Sequence, residues 1–330
     1  MDSVPSGRGA TMTTAAPGSA PAVDFDQVSK WFKGVVAVSE VSFSLGPGIT
    51  SLLGPNGAGK STVLRMMCGL TPPSIGSVRV FGHDPRRHPA VLAQVGLVPQ
   101  QDGVFPRLSA LEFVRLAAVL HGISDADGAA RRALATVEMD ASESRSVNQY
   151  SKGMKQRVKL AQALVNSPAL IIADEPLNGL DPRQRVRLIE VFQQLGAEGR
   201  TVVVSSHVLD EVERLGDRVL VVAEGRLAAA GSFQGIRELM DDRPHLIRIH
   251  CDRPHELSGR LLTSGLVRGA SILDREHFEC EVTEVARFRS EIVGAAREVG
   301  TLLRGVRPMD DDLESVFRYL VAGRSGTGTR

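Results

Sequence analysis

The hydrophobic positions of the chain alternate between short apolar runs and segments with helical spacing. Four apolar runs predict buried strands: Gly48–Leu53, Ala169–Ala173, Arg200–Ser205 and Asp217–Ala223. Segments with apolar residues every three to four positions predict helices between them: Lys60–Cys68, Met154–Asn166 and Arg183–Leu195. Apolar strands that alternate with helices favour an α/β protein whose mostly parallel sheet is covered on both faces.

Two stretches depart from this rhythm. Residues 106–150 are rich in Ala, Leu and charged residues and contain no strong strand run, so they predict a helical insertion. Residues 1–21 consist largely of Ala, Gly, Ser, Thr and Pro, and they hold no Leu, Ile, Phe, Tyr or Trp. Such a segment buries too little apolar surface to offset its ordering entropy, so we expect a disordered tail there.

The pattern of hydrophobic and polar positions changes again after about residue 243. Strand and helix patterns follow in the order β-α-β-β-α-β, which is the split motif of ferredoxin-like domains. The predicted elements are Leu246–His250, Pro254–Thr263, Leu266–Leu273, His277–Val282, a helix marked by Val285, Phe288, Ile292, Ala295 and Val299, and Thr301–Val306. A final helix carries Leu313, Val316, Phe317 and Leu320 after the acidic run Asp310–Asp312. The predicted organisation is a tail (1–21), a main domain (22–243), a C-terminal domain (244–322) and a flexible tail (323–330).

Composition narrows the class of protein. The 330 residues include 39 Lys and Arg against 38 Asp and Glu, a net charge of +1 that argues against non-specific nucleic-acid binding. No run of about 18 uncharged apolar residues is present, so we expect no membrane span, and no signal peptide is expected. The three cysteines are far apart in the sequence, which predicts small buried residues rather than a disulfide framework or zinc site.

The strongest local motif follows the first predicted strand. Gly54-Pro55-Asn56-Gly57-Ala58-Gly59-Lys60-Ser61 matches the phosphate-binding loop pattern and opens a predicted helix, as that motif requires. Glycines let backbone N–H groups converge on an anion, and the helix N-terminus adds partial positive charge. We therefore expect residues 54–61 and Thr62 to bind nucleotide phosphates, with Lys60 at the β- and γ-phosphates and the Ser61 hydroxyl on magnesium.

A pair of carboxylates fits the same chemistry. Asp174 and Glu175 follow directly on the buried strand Leu170–Ala173. Asp174 at a strand end can hold magnesium through its water shell, and Glu175 can polarise an attacking water. Together with Lys60 and Ser61, the pair predicts a nucleoside triphosphate hydrolase.

A third motif separates this chain from other phosphate-loop proteins. Tyr150-Ser151-Lys152-Gly153-Met154 lies 23 residues before Asp174, counted from Ser151, and resembles the signature of ABC ATPases. Over residues 22 to about 240 the chain resembles the nucleotide-binding domain of ABC transporters. The resemblance implies a P-loop NTPase fold, with a RecA-like core and antiparallel β and α-helical subdomains. It also implies that Ser151 and Gly153 meet the γ-phosphate bound to an opposite subunit.

Other positions match the family one by one. Gln100 resembles the Q-loop glutamine, which touches magnesium or the attacking water and senses the transmembrane partner. Asn178–Asp181 resembles the D-loop, which lies at the dimer interface. His207 resembles the H-loop histidine that contacts the γ-phosphate. Phe32 aligns with the aromatic residue that stacks on adenine, although the adjacent Trp31 is an alternative for that role.

The signature departs from the usual Leu-Ser-Gly-Gly-Gln. Lys152 replaces the first Gly, Met154 the Gln and Tyr150 the Leu, a variant that resembles the ATPases of bacterial drug- and antibiotic-efflux exporters. The Ser and the second Gly remain, so contact with ATP should persist, and we expect Lys152 to be solvated. The C-terminal domain resembles the accessory domain appended to many exporter ATPases.

These resemblances imply an ATP- and magnesium-dependent ATPase that powers an exporter. Two copies would enclose two ATPs head to tail, and a homodimer is favoured because one chain holds every catalytic element. A separate permease would supply the membrane spans and hold the chain at the cytoplasmic face of the membrane. The alternative is a soluble ABC-type ATPase that acts on nucleic acid or ribosomes. The near-zero net charge, the single ATPase cassette and the lack of a long coiled-coil insertion argue against it.

Overall fold

The computed structural model describes residues 20–101, 107–216, 218–233 and 245–309, together with residues 12–13, 103 and 105. The chain divides into two units, Met1–Phe233 and Gln234–Arg330. The division falls after Phe233, whereas the sequence pattern places it near residue 243. The predicted final helix and the acidic run Asp310–Asp312 lie outside the described residues, as do residues 323–330.

The first unit contains most of the predicted α/β elements. Its described strands are β1 (Met12–Thr13), β2 (Val23–Phe32), β3 (Val35–Leu45), β4 (Gly48–Leu53), β5 (Ile75–Val80), β6 (Val95–Val98), β7 (Leu170–Ala173), β8 (Thr201–Ser206), β9 (Arg218–Ala223) and β10 (Arg226–Ser232). Its described α-helices are α1 (Lys60–Met67), α2 (Ala110–Leu120), α3 (Ala126–Thr136), α4 (Lys152–Leu164), α5 (Pro182–Ala197) and α6 (Leu209–Leu215). Short 3-10 helices span Pro89–Gln94 and Val147–Gln149.

A six-stranded sheet forms the centre of this unit, in the order β10-β9-β4-β8-β7-β6. Strands β9, β4, β8, β7 and β6 are parallel, and β10 pairs antiparallel at one edge. Strands β7 and β8 are fully buried, which explains why they read as continuous apolar runs rather than as alternating ones. The predicted parallel sheet is confirmed.

A second sheet is mainly antiparallel, in the order β1-β3-β2-β5. Phe25 and Phe43 stack across β2 and β3 with ring centroids 4.6 Å apart. Met12–Thr13 pair in parallel with Phe43–Ser44, so at these two residues the chain departs from the disordered tail expected over residues 1–21.

In the described part of residues 107–150, two α-helices and one 3-10 helix form, joined by turns. Ser109 begins α2 with a capping box, in which its hydroxyl accepts from the Glu112 N–H and the Glu112 carboxylate accepts from the Ser109 N–H. Asp125 accepts from the N–H of Gly128 and begins α3. Helices α2, α3 and α4 share one apolar core with one face of the parallel sheet, the face that carries Ile171 and Val202.

The second unit has the predicted β-α-β-β-α-β order. Its described elements are β11 (His245–Cys251), α7 (Pro254–Thr263), β12 (Gly269–Ile272), β13 (His277–Val282), α8 (Val285–Val299) and β14 (Leu303–Pro308). The sheet order is β12-β13-β11-β14 with antiparallel neighbours, so β13 lies between the two strands that α7 connects. Phe278, Cys280 and Val282 are buried beneath the helices, while His277 and Glu279 lie on the other face, as the alternation predicts.

Two predicted strands in this unit begin too early, for one physical reason. Helices α7 and α8 each end at a glycine with positive φ, Gly265 (φ 67°) and Gly300 (φ 67°). The next residues close these caps, because the Leu266 N–H donates to the Leu261 carbonyl and the Thr301 N–H donates to the Ala296 carbonyl. Leu266 and Thr301 are buried by the cap and therefore read as strand residues in the sequence.

Burial of the cysteines also follows the prediction. Cys68, Cys251 and Cys280 are all buried. Burial, with a smaller contribution from the charge of Asp174, raises the pKa of the Cys68 thiol to about 12. Burial raises the pKa of the Cys280 thiol to about 12. Among the residues that the structure describes, no helix is both long and apolar enough to cross a membrane.

Candidate active site

Three neighbouring parallel strands end at the same edge of the central sheet. Leu53 at the end of β4 pairs with Ser206 at the end of β8, and Ala173 at the end of β7 pairs with Val204. The loops that follow these strands carry the phosphate-binding motif, the carboxylate pair and the predicted H-loop histidine. The register therefore brings the loop beginning at Gly54, the Asp174–Glu175 pair and His207 to one place, as expected at the carboxyl edge of such a sheet.

The loop between β4 and α1 has the conformation that phosphate binding requires. Gly57 and Gly59 have φ values of 81° and 104°, in the left-handed region that favours glycine. A Cβ atom on Gly59 would overlap the carbonyl oxygen of Ala37, so glycine is also required there for space. Helix α1 begins directly after, at Lys60, and its first N–H groups face the loop.

Lys60 is buried, with 6 % of its side chain exposed, and its ammonium group lies inside the loop. Its Nζ donates to the Gly54 carbonyl at 2.6 Å and to the Pro55 carbonyl at 3.1 Å. It also lies 3.2 Å from Oε1 of Glu175, whose side chain is equally buried. The buried ammonium is thus surrounded by three oxygen atoms. When a nucleotide binds, phosphate oxygens can replace these oxygens as its partners.

Glu175 links this lysine to the predicted histidine. Its Oε2 lies 2.7 Å from Nδ1 of His207. Its backbone has φ 49°, an uncommon conformation for a residue other than glycine, asparagine or aspartate. The Glu175 N–H donates to Oγ of Ser205 at 2.8 Å, and the Ser205 hydroxyl donates to Oδ1 of Asp174 at 2.7 Å. Ser205 therefore holds both carboxylate residues against the end of β8.

A cleft of about 370 Å³ opens over these groups. It is lined by Ala37, Asn56, Gly57, Gly59, Lys60, Ser61, Thr62, Gln100 and Glu175. The structure thus places Gln100 and most of the predicted loop residues in one concavity with Lys60 and Glu175. Ala58 is buried behind the loop, and His207 reaches the cleft through its contact with Glu175.

The residues predicted to contact adenine and to bind the opposite subunit's ATP lie outside the lining of this cleft, as do Gly54, Pro55, Ala58, Asp174 and His207. Phe32 and Trp31 are 46 % and 44 % exposed, so they do not pack in the core. The Lys30 ammonium lies 4.8 Å from the centre of the Phe32 ring. Ser151 is exposed at the start of α4 and its hydroxyl accepts from the Met154 N–H, while Gly153 is buried in the first turn. The adjacent Lys152 is exposed, as expected.

The oxygen atoms near the cleft suit a magnesium ion. Ser61 supplies a hydroxyl and Gln100 a side-chain carbonyl in the cleft, and Asp174 supplies a carboxylate next to it. Such hard oxygen ligands, few in number, are what magnesium takes from a protein when phosphates and waters complete its shell. In the part of the chain that the structure describes, no cluster of three or more His, Cys, Asp or Glu side chains could hold a metal alone.

The motifs did not predict a second layer of polar residues behind the site. Ser206 Oγ donates to Oε2 of the buried Glu211 at 2.6 Å and accepts from the Val208 N–H at 3.0 Å. Arg185 Nε lies 3.2 Å from Oε1 of Glu211. These contacts join the histidine loop to α5, which follows residues 178–181. Ser205 and Ser206 at the end of an apolar strand carry the same signal that identified Asp174.

Comparisons with known proteins agree with this geometry. Residues 38–178 match the family model described as ABC transporter. The chain is 39 % identical over 215 residues to Nod factor export ATP-binding protein I of Paraburkholderia xenovorans, covering 64 % of this chain and 71 % of that one. It is 36 % identical over 326 residues to the protein of the same name in Mesorhizobium japonicum, covering 93 % of this chain and 90 % of that one.

Solved structures of ABC transporter ATP-binding proteins are also similar to this chain. The dimeric structure of a bacterial ABC transporter cassette superposes with a TM-score of 0.59 at 28 % identity, covering 64 % of this chain and 98 % of that one. An ATP-binding subunit of an ABC transporter superposes with a TM-score of 0.60 at 29 % identity, covering 66 % of this chain and 93 % of that one.

The fold and site define a P-loop nucleoside triphosphatase, with a phosphate-binding loop, a carboxylate pair and a histidine at one sheet edge. Within that class, the chain belongs to the ABC transporter family, as an ATP-binding subunit with ATPase activity of the kind found in export systems. This assignment favours the transporter over the alternative that acts on nucleic acid or ribosomes. The ABC transporter cassette compared above was solved as a dimer.

Proposed function

We propose that two copies of this chain bind two ATP molecules head to tail and drive export through a separate permease. The observation that carries the proposal is the series of contacts from the buried Lys60 through the buried Glu175 to the partly exposed His207, at the mouth of the phosphate-binding loop. It joins an ammonium, a carboxylate and an imidazole from three separate segments. Such a series supplies a phosphate ligand, a base and a γ-phosphate contact in one cleft.

ATP would lie along the loop from Gly54 to Thr62, with its phosphates on the N–H groups that precede α1. The exposed Phe32 would stack on adenine, and Trp31 is the neighbouring alternative. Ser151 and Gly153 at the start of α4 would meet the γ-phosphate held by the opposite copy, which is consistent with their position outside the cleft of their own chain. Magnesium, held by Ser61, Asp174 and Gln100, would neutralise charge on the phosphates.

Lys60 would release Glu175 for catalysis when ATP binds. Its ammonium would exchange the carboxylate of Glu175 for the β- and γ-phosphate oxygens, because phosphates carry more negative charge. Oε1 of Glu175 is then available to a water molecule. Glu175 would accept a proton from that water as its oxygen attacks the γ-phosphorus and the bond to the β-phosphate oxygen breaks, giving ADP and phosphate. His207 would hold the γ-phosphate and, through Nδ1, the orientation of Glu175.

The proposed partners follow from the names of the relatives compared above. The two relatives compared above carry export in their names, and we extend export to this chain. A permease subunit would provide the membrane path and would hold the ATPase peripherally at the cytoplasmic face of the membrane. A homodimer is favoured because this one chain supplies both halves of each composite site, the loop with Glu175 and the Ser151 helix.

The substitution Glu175→Gln tests this function. It keeps the size of the side chain and removes the base, so we expect ATP binding to persist and turnover to fall by at least about 10²-fold. The variant should also accumulate as an ATP-bound dimer, measured by size-exclusion chromatography with light scattering. Glu190→Gln, a change at an exposed residue of α5, is the matched control and should keep its turnover. Normal steady-state turnover in Glu175→Gln would show that Glu175 is not the base.

A further inference from the structure

Lys159 is a buried charged residue for which the proposed function gives no role. It lies on α4, and only 1 % of the residue is exposed. A buried ammonium needs oxygen atoms close by, because its loss of hydration must be compensated. The side chain finds them on the Q-loop, since its Nζ donates to the Pro99 carbonyl at 2.9 Å and to the Gln101 carbonyl at 3.3 Å.

These two carbonyls belong to the residues on either side of Gln100. Gln100 itself is exposed and lines the cleft with Lys60, Ser61 and Glu175. A loop held at both flanking residues has few ways to move the residue between them. Lys159 thus fixes the backbone that presents the Gln100 side chain to the cleft, without touching the cleft itself.

The rest of α4 is also attached to the strand that leads into this loop. Asn166, just after α4, donates to the Ala93 carbonyl at 2.6 Å. Gly96 on β6 approaches α4 so closely that a Cβ there would overlap the Ala163 carbonyl oxygen. Lys159 adds the contact nearest the cleft. The C-terminal half of α4 and the segment from Ala93 to Gln101 are therefore held together at three points.

The other end of α4 carries the signature residues. Ser151 caps the helix eight residues before Lys159, a distance of about 12 Å along the axis. A helix that is rigid over this length transmits a displacement of Ser151 to Lys159, and from Lys159 to the Q-loop. One element therefore joins the residues that would meet ATP on the opposite subunit to the residue that would meet magnesium and water in this one.

We propose that Lys159 is a positioning residue that couples the signature helix to Gln100. The proposal rests on the proposed function, since it assigns Gln100 to the magnesium and water of that site. When α4 shifts as a second subunit closes on ATP, Lys159 carries the Pro99–Gln101 backbone with it and places Gln100 in the cleft. Without the ammonium, the Q-loop and α4 move separately.

The test uses the full chain with Lys159→Met, which keeps the length of the buried side chain and removes its three donors. We expect turnover to fall by about tenfold to a hundredfold, as displacement of a site residue does, while ATP affinity measured without magnesium changes by less than about twofold. The magnesium concentration for half-maximal turnover should rise by about fivefold or more, in line with losses from displaced metal-site residues. Lys155→Met, one turn earlier on α4 and partly exposed, is the matched control.

A double substitution separates positioning from general support of the fold. If Lys159 acts through Gln100, adding Lys159→Met to Gln100→Ala should lower turnover no further. The same fold-loss in both backgrounds would overturn the proposal, as would unchanged turnover and magnesium dependence in Lys159→Met alone.

Stability is measured in parallel by thermal melting. Should Lys159→Met not melt cooperatively, Lys159→Gln, which retains one donor group, replaces it and the same outcomes apply. If both variants fail to melt cooperatively, Lys159 serves the fold alone and the proposal is wrong. The ATPase assignment is tested independently, by the turnover of the wild-type chain and of Glu175→Gln, which leave Lys159 unchanged. A failure of the Lys159 proposal therefore does not count against that assignment.

Discussion

Each unit of the molecule contains a cluster of histidine and carboxylate side chains, and the two clusters differ in burial. In the first unit, Glu175 lies 2.7 Å from His207 and only 6 % of the Glu175 side chain is exposed. In the second, Asp274 lies 3.0 Å from His277 and 60 % of the Asp274 side chain is exposed. The distances are alike, so distance alone does not distinguish the two.

The second cluster is larger than the first in number of groups. The His250 and His277 rings stack with centroids 4.4 Å apart, and Glu276 pairs with both His250 and Arg304. A cleft of about 470 Å³ lies beside them. The charged groups of this second cluster are nevertheless exposed. Because solvent screens exposed ion pairs strongly, each pair contributes little to the stability of the fold.

The clusters also differ in how the chain assembles them. Asp274 and His277 are three residues apart, and the turn itself brings them together through two N–H bonds to Asp274. Lys60, Glu175 and His207 come from three strand ends far apart in sequence, and the whole fold is needed to place them. Charged groups that are buried and come from distant parts of the sequence cost stability to assemble. Their presence therefore indicates a functional site more strongly than an exposed ion pair within one turn does.

The largest predicted effect tests this contrast with one substitution in each cluster. Lys60→Met removes a buried ammonium that contacts both the phosphate-binding loop and Glu175, so we expect ATP turnover to fall by about 10³-fold. Arg304→Met removes a half-exposed partner of Glu276 and should change turnover by less than about twofold. Phosphate release measures both. If the two variants lost turnover equally, burial would not be what separates the clusters.

A smaller effect is expected from the layer behind the catalytic residues. Glu211→Gln weakens the attraction to Arg185 and alters the bond from Ser206, the residue before His207. Displacement of His207 should lower turnover by about tenfold, with the Michaelis constant for ATP nearly unchanged. The exposed Glu190→Gln serves again as the control. A rise in the Michaelis constant with unchanged turnover would instead assign Glu211 to ATP binding.

The sequence predicted the parts of the molecule that depend on local pattern. The parallel strands appear as apolar runs because both faces are buried, and Gly48–Leu53 has the predicted bounds. The second unit follows its period-two alternation, and β13 has the predicted bounds. Bounds for β2 and β3 could not be predicted, because their register shifts at several places and breaks that period.

The sequence predicted the residues of the site that belong to motifs, but not those that support them. Lys60, Glu175, Gln100 and His207 were identified by spacing and by resemblance, and the structure brings them together. Their contacts with Ser205, Glu211 and Lys159 could not be predicted, because these depend on which segments meet in space. A lysine on an apolar helix face indicates an unusual environment, but the carbonyls that it meets are 58 and 60 residues away.

The smallest predicted effect concerns Asp274 and is visible only as a dependence of stability on pH. The N–H of Glu276 and then the His277 side chain lower the pKa of the Asp274 carboxyl from its usual 3.8. A lowered folded-state pKa stabilises the native state above the usual value, and this contribution is lost as the pH falls through the folded-state pKa. We therefore expect Asp274→Asn to melt at a slightly lower temperature than the wild type at pH 6, and this difference to shrink as the pH falls below 3.8 towards the lowered folded-state pKa. Thermal melting across pH measures it, and ATP turnover at pH 7 should be unchanged. A difference in melting temperature that stayed constant down to pH 2 would show that Asp274 acts through the shape of the turn rather than through its charge.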